Sequence, residues 1–98
     1  MKAIYKAPNE PPKIIDIDNT LAALQNAVGG YIETTTVASD CCIICDEDGK
    51  LVGLPFNCRL CGRVFVGPIL IVGVDGDEFT DLQRPEAFVR LFFGEVEV

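Results

Sequence analysis

Arg63-Val64-Phe65-Val66-Gly67-Pro68-Ile69-Leu70-Ile71-Val72-Gly73-Val74 is the stretch on which the fold turns. After Arg63 it is apolar at odd and even positions alike. A strand built from it is therefore apolar on both faces, and such a strand has to lie inside something. Gly67-Pro68 interrupts it, because proline has no N–H to give to a ladder. The stretch reads as two strands, or as one long strand bulged at that pair. In a small domain it is either central under a helix or buried in an oligomer interface. It is too short and too interrupted to cross a membrane, which takes roughly twenty apolar residues.

The neighbouring segments supply partners for it. Cys41 to Cys45 reads as a strand, and the Thr-rich segment from Tyr31 to Ala38 as another. Asp46-Glu47-Asp48-Gly49 ends the Cys41 strand. Its Asp-Gly pair predicts a hairpin whose return strand runs from Lys50 to Gly53 or Leu54, with Pro55-Phe56-Asn57 as loop. Lys2 to Lys6 is a short strand, Pro8, Pro11 and Pro12 mark a turn or extended connection, and Lys13 to Ile17 alternates as a half-buried strand does. Asp18 or Asn19 is expected to cap a helix from about Thr20 to Val28, with Leu21, Leu24 and Val28 as its apolar stripe and Gly29-Gly30 as its stop. Asp75 to Asp81 reads as an acidic loop, with Asp81 favourable near the N-terminus of a last helix. Pro85 opens that helix, whose apolar face would hold Ala87, Phe88, Leu91 and Phe92. The expected class is α+β. A mostly antiparallel sheet of about five to six strands carries two helices, about 19–29 and 84–93, on one side, in a single domain spanning 1–98.

Composition narrows the function. The 98 residues carry eight Lys+Arg against fifteen Asp+Glu, a net charge of -7. A direct nucleic-acid binder needs a basic footprint, and an anionic membrane attracts basic segments, so neither is expected as a partner. With no histidine, triads, imidazole proton shuttles and His-containing zinc sites are excluded. One serine and no Walker or Rossmann glycine pattern leave catalysis little support, and no enzyme activity is expected. The first residues lack the apolar core of a signal peptide, and five cysteines are an odd number. A cytoplasmic protein with reduced thiols or a metal is expected rather than a disulfide framework.

Two constellations stand out. Cys42-x-x-Cys45 and, twelve residues on, Cys58-x-x-Cys61-Gly62 have the spacing of a four-cysteine zinc ribbon. Against it, Ile43 and Ile44 are core residues, and in a strand positions i and i+3 point to opposite faces. Buried thiols are the preferred reading and no cofactor is expected, with zinc on Cys42, Cys45, Cys58 and Cys61 as the alternative. Asp75-Gly-Asp77-Glu78 fails as a calcium loop because Phe79 and Thr80 stand where an oxygen ligand and a glycine are needed. The second constellation is Lys50, Arg59 and Arg63, three cations in an acid-free stretch with Gly49, Gly53 and Gly62. Guanidinium groups and exposed amides suit an anionic ligand such as a phosphate, and Tyr31, Phe56 and Phe65 offer stacking surfaces. A carboxylate pair such as Glu33 with Glu47 is a further candidate that nothing in the sequence singles out.

Val28-Gly29-Gly30-Tyr31-Ile32-Glu33, then Asp46-Glu47-Asp48-Gly49-Lys50-Leu51 with Gly53-Leu54-Pro55 and Asn57, then Val66-Gly67 and Ile71-Val72-Gly73, taken together resemble the family catalogued as domain of unknown function thirty-eight forty-six. The resemblance implies an α+β domain carried on phages, plasmids and gut bacteria, with no established chemistry. In that pattern a cysteine at Cys45 is common, whereas Cys58 and Cys61 are particular to this sequence. Gly29 and Gly30 read as a helix stop, Gly49 as a hairpin turn, and Asn57 as bonding its own backbone in a turn. The expected function is an oligomeric, non-catalytic binding module that sequesters a small anionic, nucleotide-type host-defence signal. Tyr31, Glu33, Lys50, Pro55, Phe56, Asn57, Arg59 and Arg63 are its candidate ligand residues. The alternative partners are a host defence protein, met by an acidic DNA mimic, or whatever binds a zinc-ribbon module.

Overall fold

The apolar stretch at 63–74 becomes two strands in two different sheets. The structure is a computed structural model that describes residues 1–94, so the expected domain of 1–98 runs on past the described residues. The elements in chain order are β1 (Lys2–Lys6), β2 (Lys13–Asp16), α1 (Leu21–Val28), β3 (Ile32–Ala38), β4 (Cys41–Asp46), β5 (Phe56–Leu60), β6 (Arg63–Val66), β7 (Ile69–Asp75), β8 (Glu78–Thr80) and α2 (Pro85–Phe93). Six strands form one sheet in the order β2-β1-β7-β4-β3, with β8 on the far end of β7, while β5 and β6 form a separate hairpin. Every pairing among the described residues is antiparallel. This is the α+β fold expected from the sequence.

The two-faced strand sits at the centre. Ile69, Leu70, Ile71 and Val72 are each 0% exposed. Alternation sends Ile69 and Ile71 to one face with Ile4, Cys41, Ile43 and Cys45, and Leu70 and Val72 to the other with Ala3, Cys42 and Ile44. Each face needs its own cover, since burying one such side chain contributes about 1.5–3 kcal/mol. Leu24 and Val28 of α1 cover the second face. Val89, Phe88 and Phe92 of α2 cover the first, together with Leu60 and Phe65 of the β5–β6 hairpin. The two helices therefore lie on opposite sides of the sheet, not on one side as expected. A sheet whose central strands are apolar throughout cannot leave either face wet.

Other local expectations are corrected. Thr20 caps α1, its hydroxyl accepting from the Ala23 N–H at 3.2 Å, in place of Asp18 or Asn19. Gly29, at φ 88°, stops that helix and donates its N–H to the Gln25 carbonyl at 2.8 Å. Residues 47–53 are successive turns, not a return strand. The Val52 N–H reaches the Asp48 carbonyl at 3.0 Å and the Leu54 N–H that of Gly49 at 2.9 Å. Phe56 and Asn57, expected as loop, open β5. The acidic segment after β7 is a tight hairpin into β8, turning at Gly76-Asp77 with Gly76 at φ 61°. The two-residue turn forms at Gly76-Asp77, between paired Asp75 and Glu78, and not at Asp48-Gly49, because strands flank only the former on both sides. On α2 the buried face is Pro85 and Val89, with Phe88 stacked on Phe92 at 4.4 Å between ring centroids. Leu91 is 78% exposed and Ala87 is exposed too, since the stripe runs one residue out of phase with the expectation. Asp81 does not serve the helix; its Oδ1 accepts the Lys2 backbone N–H at 2.7 Å.

Gly73 is the tightest point of the sheet. It pairs with Cys41 on one side and Thr80 on the other. A Cβ there would run into the Asp81 carbonyl and lie 3.1 Å from the Thr80 methyl. Asp81 cannot retreat, because its side chain and the next N–H are both bonded to the backbone of Lys2. Gly73→Ala is expected to lower stability by about 3 kcal/mol, the upper range for overpacking, measured by urea unfolding.

Candidate functional site

Glu33 and Thr35 stand on β3 opposite Cys45 and Ile43 of β4, so all four side chains share the face over which the β5–β6 hairpin folds. The hairpin turns at Cys61 (φ 51°) and Gly62 (φ 75°). Two consecutive left-handed residues are the signature of a type I′ turn. Cys58-Arg59-Leu60-Cys61-Gly62 is thus a strand running into a hairpin turn. Arg63 follows the turn as the first residue of β6. On the other side, Asp46 Oδ1 accepts the Asp48 N–H at 2.9 Å and the Asp46 carbonyl accepts from Gly49 at 3.2 Å. These bonds shape the turn that presents Lys50. A cleft of about 240 Å³ is left between sheet, turn and hairpin, with Glu33, Thr35, Cys45, Lys50, Leu51 and Arg63 among its lining residues.

Cys45 forms part of the cleft, and its thiol donates to Glu33 Oε2 at 3.8 Å. Burial, then the neighbouring Glu33 carboxylate, pushes that thiol up to about 11, while Lys50 pulls the other way. Glu33 and Lys50 therefore both act on one sulfur, from opposite sides of the charge balance. At neutral pH the sulfur is protonated and is a weak nucleophile.

The remaining thiols do not join it. Cys42 faces α1 on the opposite side of β4 from Cys45, and burial, then Cys41, pushes it up to about 11. Burial also raises Cys41 and Cys58, and Cys61 is exposed in its turn. Among the described residues no three metal-ligating side chains come together. The alternative set Cys42, Cys45, Cys58 and Cys61 is dispersed by strand alternation.

Of the residues nominated from sequence, Glu33, Glu47, Lys50, Arg63 and Phe65 share the cleft. Arg59 does not line it. Leu60 and Cys58 face the core, so alternation turns Arg59, between them, outward. Tyr31 is 70% exposed and borders a separate shallow depression with Gln25, Asn26, Gly29 and Gly30. Phe56 is 59% exposed at the start of β5, and the Pro55 carbonyl accepts the Gly67 N–H at 2.8 Å. Asn57 is 7% exposed and does not bond its own backbone. Its amide donates to the Lys6 carbonyl at 2.8 Å and the Gly67 carbonyl at 2.7 Å, and its Oδ1 accepts from Lys6 Nζ at 2.9 Å. Thr35 is a lining residue that the sequence reading missed, although its place two residues after Glu33 on a strand puts both on one face. Leu51 gives no signal beyond adjacency to Lys50.

Residues 1–92 match the family described as Domain of unknown function (DUF3846). The chain belongs to this family. No curated protein and no solved structure matches it. In this family member the segments that carried the resemblance meet in space. A Cβ on Gly30 would lie 2.8 Å from Asp46 Oδ2, and one on Gly49 would lie 3.1 Å from a Val66 methyl. The paired glycines and the acidic turn thus pack against each other beside the cleft. Among the described residues no helix is long and apolar enough to cross a membrane.

Asn57→Ala strands two carbonyls and the Lys6 ammonium at once. A loss of about 2–3 kcal/mol is expected, read by urea unfolding. The thiols give a pH test. Cys42 and Cys45 are raised from the ordinary 9.0 to about 11, so folding favours their protonated forms. Their contribution is complete below pH 9 and falls away as pH rises toward 11; thermal melts at stepped pH should fall across that window. At pH 8, iodoacetamide should label exposed Cys61 first and Cys42 and Cys45 last, as read by peptide mass spectrometry.

Proposed function

We propose that this protein is a non-catalytic binding module that holds one small anion-bearing ligand in the cleft between β3, the 47–53 turns and β6. One observation supports it above others. Lys50 and Arg63, on different elements, border a single cavity. The same cavity is lined by the carboxylates Glu33, Asp46 and Glu47, so it is a mixed-charge site and not a basic patch, and its two cations are the groups that an anionic moiety would meet there. The cleft's own thiol argues against nucleophilic chemistry, because burial and Glu33 hold Cys45 protonated.

The narrower form of the proposal is a nucleotide-type host-defence signal sequestered in the bacterial cytoplasm. It rests on the mobile-element setting that the family resemblance implies, which is an analogy of context. A second copy is not needed to cover β7, whose faces are closed by α1, α2 and the hairpin. What still supports an oligomer is the exposure of Leu51 (87%), Val52 (65%) and Phe56 (59%) near the cleft.

Calorimetry of the full chain against inorganic phosphate, mononucleotides, cyclic nucleotides, ADP-ribose and carboxylate-bearing amino acids tests the reading. Binding of at least one is expected, with Lys50→Ala and Arg63→Ala each weakening it by roughly tenfold or more, the worth of a charged hydrogen bond. The idea is lost if none binds, or if both variants bind as the parent does.

A further inference from the structure

Lys50 and Arg63 do not have the cleft to themselves. Glu33 lines the same cavity, as do Asp46 and Glu47 of the neighbouring turn, and the hydrogen bond that Glu33 accepts among the described residues comes from the Cys45 thiol at 3.8 Å. A thiol is a weak donor, and an ionised carboxylate has about four acceptor sites, so most of the hydrogen-bonding capacity of Glu33 is unused within the fold. Its backbone is nonetheless fixed, on a strand in register with β4 and opposite buried Cys45, and Thr35 lines the same cavity. A ligand that was only an anion would bring its charge up to Lys50 and Arg63 and meet this carboxylate in the same small space. That repulsion works against binding. A ligand that presents N–H donors to Glu33 converts the repulsion into charge-assisted hydrogen bonds, and two parallel donors match the two carboxylate oxygens best.

We infer that the ligand is amphoteric, with its anionic group on Lys50 and Arg63 and a planar pair of N–H donors on Glu33, which makes Glu33 a specificity-determining residue of the cleft. The inference rests on the anion-binding reading above. The cavity, at about 240 Å³, is below the range of drug-sized sites, so both features belong to one compact molecule. Two common chemistries carry them together: a guanine nucleotide, through its N1–H and exocyclic amine, and an arginine-like guanidino acid, through its guanidinium. Lys50 and Arg63 then provide attraction, while Glu33 rejects anions that lack the donor pair.

The test is calorimetry of the full chain with guanosine monophosphate, inosine monophosphate, adenosine monophosphate, arginine, citrulline and inorganic phosphate. Inosine monophosphate keeps the phosphate and ring but lacks the exocyclic amine, and citrulline replaces the guanidinium by a neutral urea. The expected result is at least tenfold preference for guanosine monophosphate over the other two nucleotides, or for arginine over citrulline; which pair responds identifies the source. Glu33→Gln, on an exposed strand position and checked for folding by circular dichroism, should bring the preferred ligand within about twofold of its analogue, weakening the preferred ligand and tightening the analogue as the carboxylate's repulsion is removed. If phosphate or adenosine monophosphate binds as tightly as the donor-bearing ligands, or Glu33→Gln keeps the preference, the role of Glu33 is wrong and the anion-binding reading stands. If none of the six binds, the amphoteric-ligand inference is wrong, while the anion-binding reading falls only if the wider panel above fails as well.

Discussion

A central strand with no solvent face constrains the whole molecule. Ile69 to Val72 are fully buried, and their backbone groups are satisfied by β1 on one side and β4 on the other. Once β7 is placed, two apolar layers must be built, one above and one below. The chain does this with short elements. α1 suffices for the layer built on Leu70 and Val72. The layer built on Ile69 and Ile71 is wider, because β4 adds Cys41, Ile43 and Cys45 to it. It takes both α2 and the β5–β6 hairpin to close.

The cleft is a by-product of that second cover. The hairpin folds over the sheet through Leu60 and Phe65, and Asn57 anchors its first strand to Lys6 and Gly67. Between its β6 strand and the outer strand β3 the cover is incomplete, and there the cavity lies. Side chains that would otherwise be ordinary surface, Glu33 and Arg63, are brought to the rim of one cavity. Lys50 arrives from a third direction on a turn shaped by the Asp46 carboxylate. A polar site at the rim of a hydrophobic layer is where charges keep their strength and water still has access.

The cysteines illustrate how a motif dissolves in a fold. Their spacing is that of a zinc ribbon, yet strand alternation separates Cys42 from Cys45, and a type I′ turn carries Cys61 to the surface. In the core they act as small hydrophobes, in keeping with Ile43 and Ile44 between them. Cys61 occupies a left-handed position where asparagine or glycine is the usual resident, and nothing in the structure explains its presence there.

Local pattern alone determined much of this protein. Period-two alternation located β2, β-branched composition located β3, two-sided apolarity located β7, and capping and proline signals located α1 and α2, because these depend on residues adjacent in sequence. The same alternation is enough to set Cys42 and Cys45 on opposite faces, since it needs only their spacing along one strand. Only the tertiary structure decided which face each helix covers, that Arg59 parts from Arg63, that Asn57 is an anchor rather than a ligand group, and that Glu33, Lys50 and Arg63 border one cavity. Those outcomes depend on how the hairpin docks on the sheet. Docking is set by the total apolar area each face must lose, a property of residues far apart in the chain that no local window contains.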